Sequence, residues 1–107
     1  MPPAPSQLAY IPFVSVENMM RFIHHFGVEQ VLIELTDAIE ADYRRWDVFE
    51  KIPRLASHSR DGVIELMPTS DGEAFSFKYV NGHPSNMAKG FQTVAAFGLL
   101  ARVDTGY

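Results

Sequence analysis

Phe75-Ser76-Phe77-Lys78-Tyr79-Val80-Asn81-Gly82-His83-Pro84 is the stretch on which the reading of this chain turns. It alternates and is aromatic enough to be a half-buried β-strand, yet a lysine interrupts it. Upstream, Asp61-Gly62 and Asp71-Gly72 each sit between two strand-like runs. Taken as two-residue type I′ turns, they fix the register of two hairpins. In the second hairpin Ser70 faces Glu73, which sets Met67 against Ser76 and Glu65 against Lys78. In the first, Arg60 faces Val63, which sets His58 against Glu65, with Arg54 four residues further along the same strand. Because side chains alternate between faces, Arg54, His58, Glu65 and Lys78 should project from one side of a three-stranded meander. Two cations, a carboxylate and an imidazole on one face suit a charged small molecule. The structural alternative is a cross-strand ion pair between Lys78 and Glu65.

Strands are expected at residues 54–59, 63–68, 74–81 and 92–102, with the 82–90 loop between the last two. Residues 94–100 are almost wholly apolar and should be covered on both sides, which implies a partner layer. Asp104-Thr105-Gly106 reads as another turn, leading toward a strand beyond the end of the chain. Before residue 54 the period changes. Ser15 can cap a helix in which Val16, Met19, Met20, Ile23 and Phe26 recur at helical spacing, with Gly27 as its stop. A second helix carries Val28, Val31, Leu32, Leu35, Ile39, Tyr43 and Trp46 as one apolar stripe, and Pro53 closes the region. Residues 11–14 could form a short strand, and the proline-rich residues 1–13 are expected to be a flexible tail. The fold class expected is α+β: two N-terminal helices followed by an antiparallel meander, forming one domain over residues 14–107 that reads as incomplete.

Composition narrows the function. A chain of 107 residues that is 47% hydrophobic can form one domain with a modest core. A net charge of −4 without a basic run argues against a nucleic-acid surface. Arg44-Arg45 sits near a helix C-terminus, where the helix dipole favours cations. With no cysteine, neither a disulfide framework nor a thiolate zinc site is available. His24-His25 lacks the glutamate and spacing of a zincin helix and reads as a solvated polar face, so no metal is expected. No apolar run approaches the roughly 20 residues of a membrane span. A soluble, cytoplasmic protein is the default expectation.

Five separated blocks carry a family resemblance: Arg54-Leu55-Ala56-Ser57-His58-Ser59; Gly62-Val63-Ile64-Glu65-Leu66-Met67-Pro68; Phe77-Lys78-Tyr79-Val80-Asn81-Gly82-His83-Pro84; Thr93-Val94-Ala95-Ala96-Phe97-Gly98; and Asp104-Thr105-Gly106-Tyr107. In this order and spacing they resemble the N-terminal part of the ornithine cyclodeaminase/μ-crystallin family, in its ornithine cyclodeaminase branch, from about Val14 to the last residue. The resemblance implies that Arg54 and Lys78 hold the carboxylate of L-ornithine and that Glu65 lies beside the substrate. It also implies that Thr93 contacts a nicotinamide cofactor. A planar guanidinium fork and a compact ammonium suit a carboxylate, and burial could adapt the lysine to proton transfer. His58 and His83 have no assigned role; each is read as structural.

The family's reaction is an internal redox cycle in which NAD takes hydride from the α-carbon of ornithine, the δ-amine closes on the resulting imine, ammonia leaves and hydride returns to give L-proline. In the family NAD is held mainly by a following Rossmann-type domain, which also supplies a catalytic aspartate. Here the seven glycines are scattered, the nearest pair eight positions apart, so no G-x-G-x-x-G fingerprint exists. The expectation is therefore an N-terminal fragment, inactive alone and with no catalytic residue of its own; the resemblance further implies a homodimer formed through this region. Two alternatives are a ketimine reductase or amino-acid dehydrogenase of the μ-crystallin type, and a noncatalytic amino-acid-binding or dimerisation module.

Overall fold

A computed structural model describes residues 10–107. The chain divides into a helical unit through Arg45 and a sheet unit from Trp46 to Tyr107. Residues 1–9 of the expected tail lie outside the described residues, and residues 10–14 carry no regular structure. The short strand expected at 11–14 is therefore not formed.

In the helical unit, α1 (Val16–Phe26) begins at Ser15, whose hydroxyl accepts from the Asn18 N–H while the Asn18 side chain accepts from the Ser15 N–H. This reciprocal pair satisfies two donors that the first turn leaves unpaired. Gly27 (φ 86°) ends α1 and starts α2 (Val28–Arg44), a backbone state that residues with a Cβ rarely adopt. Phe22 and Phe26 of α1 and Val31 and Leu35 of α2 line one open hollow. The stripe on α2 runs as expected to Tyr43, but the helix stops at Arg44 and Trp46 enters a 3₁₀ turn, Trp46–Val48. Lys51 stabilises that turn: its ammonium donates to the Trp46 and Phe49 carbonyls and lies 4.9 Å from the Trp46 ring centre, a charge-assisted and cation–π arrangement.

The sheet unit is antiparallel throughout. β1 (Glu50–Lys51) and β2 (Leu55–His58) both pair with one edge of β3 (Val63–Ser70), which pairs with β4 (Ala74–Gly82), which pairs with β5 (Ala96–Arg102). The expected α+β class, helices followed by an antiparallel meander, is what the structure shows. β1 was not foreseen. It pairs Lys51 with Thr69, whereas β2 pairs Leu55 with Leu66, so the register slips by one residue across 52–54. Pro68 lies beside this break, where a residue without an N–H disturbs the ladder least.

Both hairpins differ from the expected register by two residues. His58 pairs with Val63 and Ala56 with Glu65; across the next hairpin Ser70 pairs with Phe75 and Met67 with Lys78. The cause lies in the turns. Among the described residues no non-glycine has positive φ, so neither Asp61 nor Asp71 takes the left-handed conformation that type I′ requires, and each loop widens to four residues. In the second loop Asp71 Oδ1 instead accepts from the N–H groups of Glu73 and Ala74, an Asx-type turn. A slip of two preserves the face of every side chain.

One face of the sheet is aromatic. Phe77, Tyr79 and Phe97 cluster there, with Tyr79 and Phe97 stacked at 5.1 Å. Among the described residues none is fully buried, so the modest core expected from composition is not closed. Phe97 is 59% and Leu100 76% exposed, on opposite faces of β5. Leu100 projects from the face that carries Lys78.

Candidate functional site

The sheet brings Glu65, Lys78 and His58 to one face, and Arg54 joins them directly. Glu65 pairs with Val80, two residues from Lys78 on β4, and with Ala56, two residues from His58 on β2. Alternation therefore puts all three on one side. Arg54 precedes β2 by one residue, and its Nη1 donates to Glu65 Oε2 at 3.0 Å. The Arg54 side chain is 60% exposed and that of Glu65 only 22%, so the carboxylate is the sheltered partner and the guanidinium stays open to solvent.

The expected opposition of Glu65 and Lys78 is replaced. Met67 faces Lys78 across β3–β4, and Gly98 faces it across β4–β5. Among the described residues no ion pair or hydrogen bond engages the Lys78 ammonium. The simple cross-strand ion pair weighed as an alternative is thus not formed, because Arg54 takes the Glu65 carboxylate. Lys78 is exposed in the chain by itself, so the burial that could adapt it to proton transfer is not supplied by these residues.

The arrangement has a floor and two walls. β2 and β4 flank β3 at about 10 Å from each other, so two long cationic side chains rise on either side of Glu65 and Met67. Beyond Lys78, Gly98 leaves the sheet surface without a side chain. One Arg54 N–H is spent on Glu65; the rest of its fork is available to an anion. Such a surface can seat a carboxylate between Arg54 and Lys78 and an ammonium near Glu65.

Thr93 falls elsewhere. β5 begins at Ala96 rather than at residue 92, so Thr93 lies in the preceding loop, where its carbonyl accepts from the His83 N–H at 2.8 Å. Asn81 is the residue that sequence reasoning missed. Its N–H donates to the Ala95 carbonyl at 3.1 Å, but the Ala95 N–H turns to the Asn81 side-chain oxygen at 2.7 Å, and this interception ends the β4–β5 ladder. An asparagine immediately before Gly-His-Pro was the available signal. His24 and His25 occupy the last turn of α1, His25 edge-on to Phe26 at 4.7 Å. Among the described residues no cluster of potential ligands could hold a metal, and no helix is long and apolar enough to cross a membrane.

Known proteins resemble the chain over nearly its whole length. The chain is 61% identical over 105 residues to an ornithine cyclodeaminase of Agrobacterium fabrum (strain C58 / ATCC 33970), covering 98% of this chain and 30% of that protein. It is 59% identical over 100 residues to an ornithine cyclodeaminase of Brucella suis biovar 1 (strain 1330), covering 94% and 28%. The chain thus spans under a third of the length of these relatives. Among solved structures, an archaeal alanine dehydrogenase dimer with bound NAD superposes with a TM-score of 0.61 at 29% identity, covering 66% of this chain and 23% of that one. The family model described as "Ornithine cyclodeaminase/mu-crystallin family" matches residues 16–107, and with a match over most of its length this chain belongs to the ornithine cyclodeaminase/μ-crystallin family.

Proposed function

We propose that this chain is the substrate-binding, dimer-forming part of an NAD-dependent, cytoplasmic ornithine cyclodeaminase, and that alone it converts no ornithine. One observation carries the reading: Arg54, Glu65 and Lys78 share a sheet face, with Arg54 held at 3.0 Å by Glu65 and the Lys78 ammonium unpaired among the described residues. An unpaired cation beside a braced guanidinium is what an α-carboxylate needs.

In this reading Arg54 and Lys78 seat the carboxylate of L-ornithine and orient its α-carbon above β3. Glu65 both braces Arg54 and offers negative charge to an ammonium of the substrate. Met67 supplies the apolar floor under the carbon chain. NAD would supply the hydride acceptor and donor. The residues present do not make a cradle for it, since the nearest glycines are eight positions apart, and Thr93 is the contact proposed from this chain. The dinucleotide would be held by a domain following Tyr107, as would the catalytic aspartate. Likeness to an NAD-bound alanine dehydrogenase favours, as a second reading, an amino-acid dehydrogenase built on the same anion site.

The test uses the chain joined to the cofactor domain of one of its Agrobacterium or Brucella relatives. Lys78→Ala and Arg54→Ala should each lower kcat/KM for ornithine by about 10- to 100-fold, because a charge-assisted contact is worth roughly 1.5–3 kcal/mol. His24→Ala should leave it unchanged. Equal activity in all three variants removes the assignment, and oxidation of alanine in preference to ornithine selects the second reading.

A further inference from the structure

We infer that Asn81 is a positioning residue whose side-chain amide fixes His83 in a single tautomer and ties the 93–95 segment to the end of β4. The argument starts at Ala95. Its backbone N–H donates to Asn81 Oδ1 at 2.7 Å, and since an N–H can only donate, the amide oxygen must face it. The amide nitrogen then faces His83 Nδ1 at 2.8 Å. An NH₂ group can only donate as well, so Nδ1 must present its lone pair and the ring proton resides on Nε2. Neither bond survives a turn of the amide, so the two hold each other in place.

The surrounding contacts leave His83 little room to reorient. Its backbone N–H donates to the Thr93 carbonyl at 2.8 Å, and the Asn81 N–H donates to the Ala95 carbonyl at 3.1 Å. The ring packs against the β2–β3 turn so closely that a Cβ at residue 62 would lie 2.8 Å from His83 Cδ2. One asparagine side chain therefore links the β2–β3 turn, the end of β4 and the segment before β5. The inference rests on the proposed function in one respect: if Thr93 contacts the nicotinamide cofactor, this clamp sets where it stands.

Long-range proton–nitrogen NMR correlations on the ¹⁵N-labelled chain read the tautomer directly, in solution or by magic-angle spinning on a sedimented sample. With the ring neutral, His83 should show an unprotonated Nδ1 and a protonated Nε2. Asn81→Asp keeps an acceptor for the Ala95 N–H but removes the donor, so His83 should switch to the Nδ1–H form while the Ala95 amide stays protected. Asn81→Ala should speed exchange of the Ala95 amide about tenfold, the loss of roughly one hydrogen bond. A protonated Nδ1 in the wild-type chain, an unswitched ring in Asn81→Asp, or unchanged Ala95 exchange in Asn81→Ala overturns the inference. In the chain completed with a cofactor domain, Asn81→Ala should also weaken NAD binding. If the tautomer pattern holds and NAD affinity does not move, the cofactor role of Thr93 fails and the clamp stands.

Discussion

Gly62→Ala is the substitution whose consequence the geometry states most sharply. A Cβ at residue 62 would lie 2.2 Å from the Gly82 carbonyl oxygen and 2.8 Å from His83 Cδ2. Contacts between non-bonded heavy atoms settle near 3.5–4 Å, so a gap of more than 1 Å must be opened, and the obstructing atom is backbone that no side-chain rotation can clear. Overpacking of this kind costs about 1–3 kcal/mol. With a urea m-value of about 1 kcal/mol/M for a small unit, the midpoint should fall by about 1–3 M. Fluorescence of Trp46, the one tryptophan in the sequence, reports the sheet unit in which the clash occurs. Gly82→Ala is the matched control: its Cβ would meet Val63 Cγ1 at an ordinary 3.6 Å, and the loss of unfolded-state entropy makes it neutral or stabilising by a few tenths. Gly62→Asn separates two explanations. Asparagine tolerates left-handed turns, so a purely conformational role for Gly62 would permit it, whereas a steric role makes it fail as alanine does. A Gly62→Ala midpoint equal to that of Gly82→Ala would refute the close approach and the hairpin register that produces it.

Three further outcomes follow from other parts of the sheet. Glu65→Gln should change stability by no more than about 1 kcal/mol, as for other partly exposed ion pairs, yet raise KM for ornithine in the completed chain because Arg54 loses its brace; an unchanged KM argues against Glu65 as an orienting group. Asp104 is held below its ordinary value of 3.8 by the hydrogen bond from Arg102 and by the charge of that guanidinium, against some desolvation. Its contribution to the final turn is present above the ordinary value and is lost as pH falls through the lowered one; NMR titration should place the carboxyl midpoint below 3.8 and move it upward in Arg102→Gln, and a midpoint indifferent to Arg102 would contradict the pairing. Sedimentation of the 107-residue chain should show dimers or larger species, because among the described residues β5 is an open edge with Phe97 and Leu100 exposed, and Phe97→Lys with Leu100→Lys should shift it toward monomer; a monomeric wild-type chain counts against association through this sheet.

What could be read from the residues, and what could not, divides along physical lines. Period-two alternation is insensitive to a slip of two, so the shared face of Arg54, Glu65 and Lys78 emerges although both registers were two residues off. Turn type is a finer matter. Asp-Gly suits a left-handed pair, but Asp71 satisfies the Glu73 and Ala74 amides with its side chain instead, and Gly62 is required by the nearness of Gly82 and His83 rather than by φ. Those contacts are long-range and leave no local trace. β5 starts four residues later than expected for a similar reason: Thr93 and Val94 favour a strand, while one Asn81 side chain takes the Ala95 N–H out of the ladder. Helix α1 was legible to the residue because its cap, stripe and stop are all local. β1 is two residues long, too short for any periodicity to mark it.

The central claim is that Arg54 and Lys78 hold the substrate carboxylate, and a crystal structure with L-ornithine in the chain joined to a relative's cofactor domain tests it most directly. The account predicts one carboxylate oxygen within about 2.7–3.2 Å of Lys78 Nζ and the other on the Arg54 fork, with Arg54 still paired to Glu65. Ornithine bound with its carboxylate away from both cations, or on the aromatic face beside Tyr79 and Phe97, would contradict it.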